Sequence, residues 1–287
     1  MNLTVAGMVL FSALLHPLWN ALIKREERQD GAFIGLVSVM IGLSAVHSLI
    51  AGYDLLSGAS VWPLLCISVL GQLLYGYSLI STLQRGDLSL YYPIIRSSPL
   101  FIVAVGLLFL DYSYSWSLLI GIACVLVGAF ALLYRRGVRY LDDPKALMFS
   151  LFALSGTGVY SIVDSRAMQV IEPPVLFFWV ELSILPVYVV LFRLVGPSGT
   201  VVPDLFQWLR KPFFFLGLGS ICYLSYFLIL TAYAMGGDVA AVTSVRQASI
   251  PVSVLIGGLL LREKSMVRRL LASLLVASGI VVIIISG

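Results

Sequence analysis

Apolar runs of about 20 residues, broken by short polar stretches, recur along the whole chain, and each is long enough to cross the hydrocarbon core of a bilayer as an α-helix. Ten such runs are predicted as helices, at 3–23, 31–51, 61–83, 88–109, 115–134, 146–171, 174–195, 212–235, 239–261 and 267–286. The fold class expected is therefore an all-α integral membrane protein with ten transmembrane helices. The loops are too short to hold a soluble domain. The first run has no Lys or Arg before it and ends at His-Pro-Leu-Trp-Asn rather than at a small-residue cleavage site, so it is expected to be helix one and not a signal peptide.

The polar breaks are not equivalent. Lys24, Arg25 and Arg28 follow helix one, and Arg85 precedes helix four. Arg135, Arg136, Arg139 and Lys145 lie between helices five and six, Arg193, Arg210 and Lys211 between seven and eight, and Arg262, Lys264, Arg268 and Arg269 between nine and ten. With ten spans, all of these loops fall on one side. The opposite loops carry Asp54, Asp111, Glu172 and, at a helix edge, Asp238, with Arg166 the one basic exception near the outer end of helix six. The positive-inside rule then puts both termini outside. Tyr53, Trp62, Tyr112, Tyr114 and Trp116 at outer boundaries, and Tyr134, Tyr140 and Trp208 at inner ones, sit where amphipathic rings anchor at an interface.

The chain also repeats. Tyr75–Asp87 (YGYSLISTLQRGD) and Tyr226–Asp238 (YFLILTAYAMGGD) align without a gap, Tyr on Tyr and Gly-Asp on Gly-Asp. Each Gly-Asp leads into an apolar run bearing a single early arginine, Arg96 or Arg246. Trp19-Asn20 through Arg25 can be laid on Tyr160-Ser161 through Arg166, and LLFLD at 107–111 on LLLRE at 259–263. Residues 1–137 are expected to form one five-helix repeat and 146–287 a second, joined by an inner-side linker at 138–145. Five is odd, so the second copy enters the membrane from the opposite face, which makes the repeats inverted.

These motifs give the chain a family resemblance. HPLWNALIKR in helix one, YPIIRSSP followed by GLLFLD, and VRQASIP followed by GGLLLRE resemble the ten-helix EamA type of the drug/metabolite transporter superfamily, over nearly the full length. An apolar run closed by an acidic residue (Asp111, Glu263) resembles the repeat signature of that family, with Asp111 where Glu is usual. The resemblance implies a bacterial cytoplasmic (inner) membrane and a small-molecule substrate. The superfamily handles amino acids, nucleotide sugars, phosphorylated sugars, choline and drugs.

Composition agrees with the membrane reading. Apolar residues make up 60% of the chain and charged ones 11%, with a mean hydropathy of +1.02, which excludes an ordinary soluble domain and a disordered chain. The basic balance reflects loop charges facing lipid headgroups; no nucleic-acid face is expected. Cys66, Cys124 and Cys222 lie inside apolar runs at no metal-ligand spacing and read as packing residues.

Polar residues deep in the runs are the candidates for chemistry. Arg96 lies eight positions into its run and Arg246 eight positions past Asp238, each roughly 12 Å deep at 1.5 Å per residue, and they approach the midplane from opposite faces. A central arginine costs at least ~2.5–3.5 kcal/mol to insert. Both are candidates to bind an anionic group, which the planar guanidinium fork suits; structural pairing is the other reading. Pro93, Pro99 and Pro251 flank them and free backbone carbonyls. Glu181 is the one acid placed deep in a span, either as a proton-coupling group or as a counter-ion to an arginine. His16 is a second coupling candidate, with hydrogen-bonded packing as the alternative for it and for His47. Gln72, Tyr75, Tyr92, Trp19, Asn20, Gln247 and Tyr226 complete the expected substrate-binding set, and Tyr77, Tyr91, Tyr223 and Tyr233 are further wall candidates. Asp164 and Arg166 are expected as an ion pair at the rim. Gly156, Gly158, Gly217, Gly219, Gly257 and Gly258 are expected at close helix contacts.

No HExxH, GxSxG or cofactor motif is present, so no enzyme, cofactor or metal site is expected. The function expected is secondary transport of a small polar, anionic or zwitterionic, amino-acid-like metabolite by alternating access, with proton-coupled export as one mode and a monomer as the working unit. The alternative is a carrier of choline-like or lipophilic cations built on the aromatic residues and Glu181.

Overall fold

The computed structural model describes residues 1–26, 29–85, 91, 94–133, 143–195, 207–252 and 266–286. Among them every regular element is helical and no strand forms. The helices are α1 (Leu3–Lys24), α2 (Gln29–Ala51), α3 (Trp62–Arg85), α4 (Ser98–Phe109), α5 (Trp116–Leu133), α6 (Pro144–Ala167), α7 (Pro173–Val195), α8 (Pro212–Ala234), α9 (Val239–Val245) and α10 (Met266–Ser286). Two 3₁₀ segments, Leu55–Val61 and Arg246–Ala248, and a helical turn at Gln207–Arg210 lie between them.

Among the described residues five stretches are long and apolar enough to cross a membrane: Gly31–Ala51, Leu55–Leu79, Pro144–Ala167, Pro173–Leu191 and Pro212–Ala234. The outward surface is apolar as well, with Val46, Leu70, Val127, Val190 and Leu274 each more than half exposed. Water would penalise such a surface, whereas hydrocarbon accepts it. In hydrocarbon each backbone polar group must find an internal partner, and an α-helix provides one for all but its ends. Several of those ends are capped by side chains. Asn2 Oδ1 accepts from the amide of Thr4, Asp143 Oδ1 from Lys145 and Ala146, and Asp238 Oδ1 from Ala241. Asp143 thus starts α6 at Pro144, so the last two residues of the expected linker belong to the helix; residues 138–142 lie outside the described residues.

Two of the expected helices are broken at their arginines, beside the prolines that flank them. In the run at 88–109, residues 96 and 97 form a turn, and α4 starts at Ser98 with Pro99 in its first turn, where its missing N–H costs nothing. In the run at 239–261, α9 stops at Val245 and the chain tightens into the 3₁₀ turn Arg246–Ala248. Pro251 lacks the N–H that would bond the Gln247 carbonyl in a continuous helix.

The helices pack in definite pairs: α3 with α6, α5 with α10, α1 with α8 and α2 with α7. Further contacts join α2 with α8, α3 with α7, α4 with α6 and α1 with α9. The α3–α6 seam brings backbones together at glycines: a Cβ on Gly156 would sit 2.7 Å from Gly71 O and from Tyr75 N. The α5–α10 seam repeats this, with a Cβ on Gly279 falling 2.7 Å from Gly121 O. In the α1–α8 seam, Ser12 Oγ donates to Ser225 O at 2.7 Å and Ser225 Oγ donates to Ser12 O at 3.1 Å. Of the glycines expected at close contacts, Gly158 meets Phe101 and Gly219 meets Val39, but Gly217 faces open space; Gly257 and Gly258 lie outside the described residues. The chain ends meet, the Met1 ammonium donating to Ile284 O at 3.1 Å. At another end of the bundle, Lys211 pairs with Glu26 at 3.1 Å, joining the segments after α1 and before α8.

The seams yield a direct test. Gly156→Ala and Gly279→Ala are each expected to lower stability by ~1–3 kcal/mol, because the new methyl meets backbone that cannot rotate away. Gly7→Ala, with nothing within 4 Å of the added atom, is expected to leave stability unchanged or slightly higher. Thermal unfolding of the three purified variants in detergent measures the difference.

Candidate functional site

Helices α1, α2, α3, α6, α7 and α8 and the two broken segments enclose a cavity of about 110 Å³. At roughly 10–15 Å³ for each water, this admits several waters or a small organic solute. Among the described residues that line it, none comes from α5 or α10, which pack against each other instead.

Nine residues singled out from the sequence line this one cavity: His16, Trp19, Gln72, Tyr75, Arg96, Glu181, Tyr226, Arg246 and Gln247. The Asn20 side chain and Tyr92 lie outside the described residues. Residues matched between the two halves meet here in pairs, namely Trp19 with Tyr160, Tyr75 with Tyr226, and Arg96 with Arg246. Both arginines stand at the helix breaks, where local backbone geometry departs from the α-helix.

Arg246 is 7% exposed, and its guanidinium lies over the Tyr226 ring, with Cζ 4.8 Å from the centroid. That contact offsets part of the desolvation of the cation. The Tyr226 hydroxyl is held by Tyr160 at 3.2 Å, and Tyr160 packs edge-on against Tyr75 with centroids 6.2 Å apart. The aromatic chain therefore fixes the ring that supports the cation. Arg246 Nε and Gln247 Oε1 have no hydrogen-bond partner, although Gln247 Nε2 donates to Thr243 O at 3.1 Å. Trp19 Nε1 is likewise without a partner, its ring packed edge-on against His16 at 5.1 Å. A buried donor or acceptor left unpaired costs ~1–3 kcal/mol. Three such groups lie on residues of one cavity wall, so the site carries an uncompensated polar cost.

Charge is divided across the cavity. His16 lies close enough to both Arg96 and Arg246 to feel their charge. Glu181 instead neighbours Asp164 and Tyr188, and it forms no ion pair with Arg246 among the described residues. Tyr188 is fitted over Gly76, where any side chain would collide with its hydroxyl.

Other expectations are corrected. Asp164 is not at a rim: it is 3% exposed and accepts a hydrogen bond from Ser68 Oγ at 2.5 Å, while Arg166 is exposed and makes no ion pair with it among the described residues. Tyr223 lies off the cavity, paired with His47 Nδ1 at 2.8 Å. Tyr233, Tyr77 and Tyr91 are off it too; Tyr77 packs on Phe149, and Tyr91 donates to Asp143 O at 3.3 Å. Cys222, taken as simple packing, is buried yet on the cavity wall. Phe33, Thr157, Ile184, Tyr188 and Thr243 also line the cavity without a sequence signal that singled them out. Tyr160 had one, its match to Trp19.

No family model and no curated protein matches the sequence. A solved structure, described only as the crystal structure of a protein, is similar over 98% of this chain and 96% of its own, with a TM-score of 0.74 at 16% identity. The likeness shows a shared fold.

The cation–ring contact is separable by a double-mutant cycle between Tyr226→Leu and Arg246→Met. A coupling of ~1–2 kcal/mol is expected from thermal unfolding, and Tyr226→Phe, which keeps the ring, is expected to retain most of it.

Proposed function

We propose that the protein is a secondary transporter of a small polar, anionic or zwitterionic, amino-acid-like metabolite, working by alternating access. The observation that carries this reading is the convergence of Arg96 and Arg246, each at a break in an apolar helical run, on one cavity lined by both halves of the chain. Broken helices around a central polar site are how membrane carriers expose backbone groups and charge to a solute without exposing them to lipid.

The packing supports ten spans in two inverted repeats. Exchanging α1–α5 with α6–α10 turns the α1–α8 contact into α6–α3, α2–α8 into α7–α3, and α4–α6 into α9–α1, all of which occur. The α2–α7 and α5–α10 contacts map onto themselves. The meeting of Met1 with Ile284 supports termini on one side, and the loop charges assign that side to the exterior. The sequence motifs point to the EamA type of the drug/metabolite transporter superfamily, in a bacterial inner membrane. The internal pseudo-dimer encloses the cavity within one chain, which favours a monomer.

In this mechanism the guanidinium groups receive the substrate's carboxylate or other anionic group. Tyr226 and Tyr160 hold Arg246 in place, and Glu181 faces an ammonium or a proton. Groups of helices held together by the tight seams then rock about the cavity, opening it to each side in turn. A carrier of choline-like cations finds support in Tyr188, which neighbours Glu181, Tyr75 and Tyr160 on the same cavity wall. Two arginines on the same cavity wall repel such a substrate and place this reading second.

Counterflow in proteoliposomes tests the proposal, with amino acids, organic acids, phosphorylated metabolites and choline as solutes. Wild type is expected to exchange acidic or zwitterionic solutes. Arg96→Ala and Arg246→Ala, once shown to be folded, are each expected to lose about tenfold or more, the scale of one charge-assisted hydrogen bond. Unimpaired exchange in both variants, or exchange of cations alone, would overturn the anion site.

A further inference from the structure

A second, smaller cavity of about 10 Å³ lies beside the first. That is room for about one water on the same measure. Gln72, Glu181 and Tyr226 line both cavities. Asp164 lines only the smaller one. It stands three residues before the end of α6, close to Tyr233, whose carbonyl oxygen accepts from Gln169 Nε2 at 3.1 Å. Asp164 therefore sits between the main cavity and one end of the bundle.

Among the described residues no cation faces Asp164. From α3 it meets Ser68, which donates to Oδ1, and Gln72; from α7 it faces Glu181; from α8 it faces Tyr226 and Tyr233. Neither α4 nor α9 brings a charge against it; Arg246 acts on Tyr226 and Tyr233 instead. An ionised carboxylate buried without a cation is expensive, and a second carboxyl across a water-sized space adds repulsion. Ionisable residues inside spans mark ion and substrate pathways and proton relays, and the species that fits a space of this size between two carboxyls is a proton, carried with or without a water.

We propose that Asp164 and Glu181 form a proton-carrying pair, in which Asp164 takes the proton from one end of the bundle and Glu181 presents it to the substrate cavity. Gln72 and Ser68 position the two carboxyls. This inference rests on the transport reading and assigns its coupling ion. Asp164 is a coupling residue outside the substrate cavity, so its loss separates driven transport from exchange.

The test uses the full chain in two arms. In the first, infrared difference spectra of the reconstituted protein are recorded through a pH titration. A carboxylic-acid carbonyl band that disappears in Asp164→Asn is expected, with a midpoint that moves in Glu181→Gln and in Ser68→Ala. No band assignable to Asp164, or a midpoint indifferent to Glu181→Gln, overturns the pair. In the second arm, a radiolabelled mixture of the standard amino acids is the probe in proteoliposomes. Asp164→Asn is expected to lose accumulation driven by a pH gradient by about tenfold or more while keeping counterflow close to wild type. Driven accumulation that survives in Asp164→Asn overturns the coupling role. Should wild type show no counterflow with these amino acids or with the organic acids, phosphorylated metabolites and choline of the first assay, the transport reading fails, and the infrared arm still decides whether the carboxyls act as a pair. If Asp164→Asn does not fold, Ser68→Ala carries both arms, and an unchanged midpoint and unchanged pH dependence in that variant count against the proposal.

Discussion

Arg246 is 7% exposed within a bundle whose outward surface is apolar, and a guanidinium does not give up its charge in a protein. The fold must therefore supply what water would have supplied. It does so with the Tyr226 ring, with the tyrosine contacts that hold that ring, and with a cavity large enough for a polar occupant. The break in the helix belongs to the same solution. At Arg246 the backbone tightens from α into 3₁₀ geometry, and with Pro251 unable to donate to the Gln247 carbonyl, the Ser249 amide bonds the Arg246 and Gln247 carbonyls instead. Arg96, at a turn just before α4, repeats the arrangement from the other half of the chain.

The rest of the bundle divides into frame and site. The α3–α6 and α5–α10 seams bring backbone against backbone at glycines, and there is no slack in which a side chain could be added. Serines perform the equivalent task between α1 and α8, each bonding the carbonyl of the other. Among the described residues α5 and α10 contribute nothing to the cavity wall, while the segments around the two arginines and the inward faces of the other helices do. Tight seams give units that can move as bodies, and the cavity lies where those units meet.

Much of this was legible because ions and prolines are conspicuous in apolar runs. Arg96, Arg246, Glu181 and Gln72 stood out as polar residues at depth, and Tyr75 with Tyr226 stood out through the internal match; the cavity gathers all of them. Phe33, Thr157, Tyr188 and Thr243 were silent for a definite reason. A helix that is apolar all round does not announce which face points inward, and nothing in composition distinguishes a wall tyrosine from a packing one. Helix ends are mostly readable, and the prolines beside Arg96 and Arg246 point to the breaks there; the exact turns at 96–97 and 246–248 are not, because periodicity continues through a break of one turn. Asp164 was misjudged by counting from the end of its helix. Depth along an axis says nothing about what covers the side, and Ser68 of α3 together with the tyrosines of α8 closes over it.

An arginine-lined cavity that carries a substrate must take an anionic group. Thermal unfolding of the purified protein with a matched set of solutes asks this directly: L-alanine, propionate and ethylamine, each against wild type and Arg246→Ala. The account predicts that alanine and propionate raise the unfolding temperature of the wild type, that ethylamine does not, and that the rise vanishes in Arg246→Ala. A rise with ethylamine alone, or the same rise in both proteins, would contradict it.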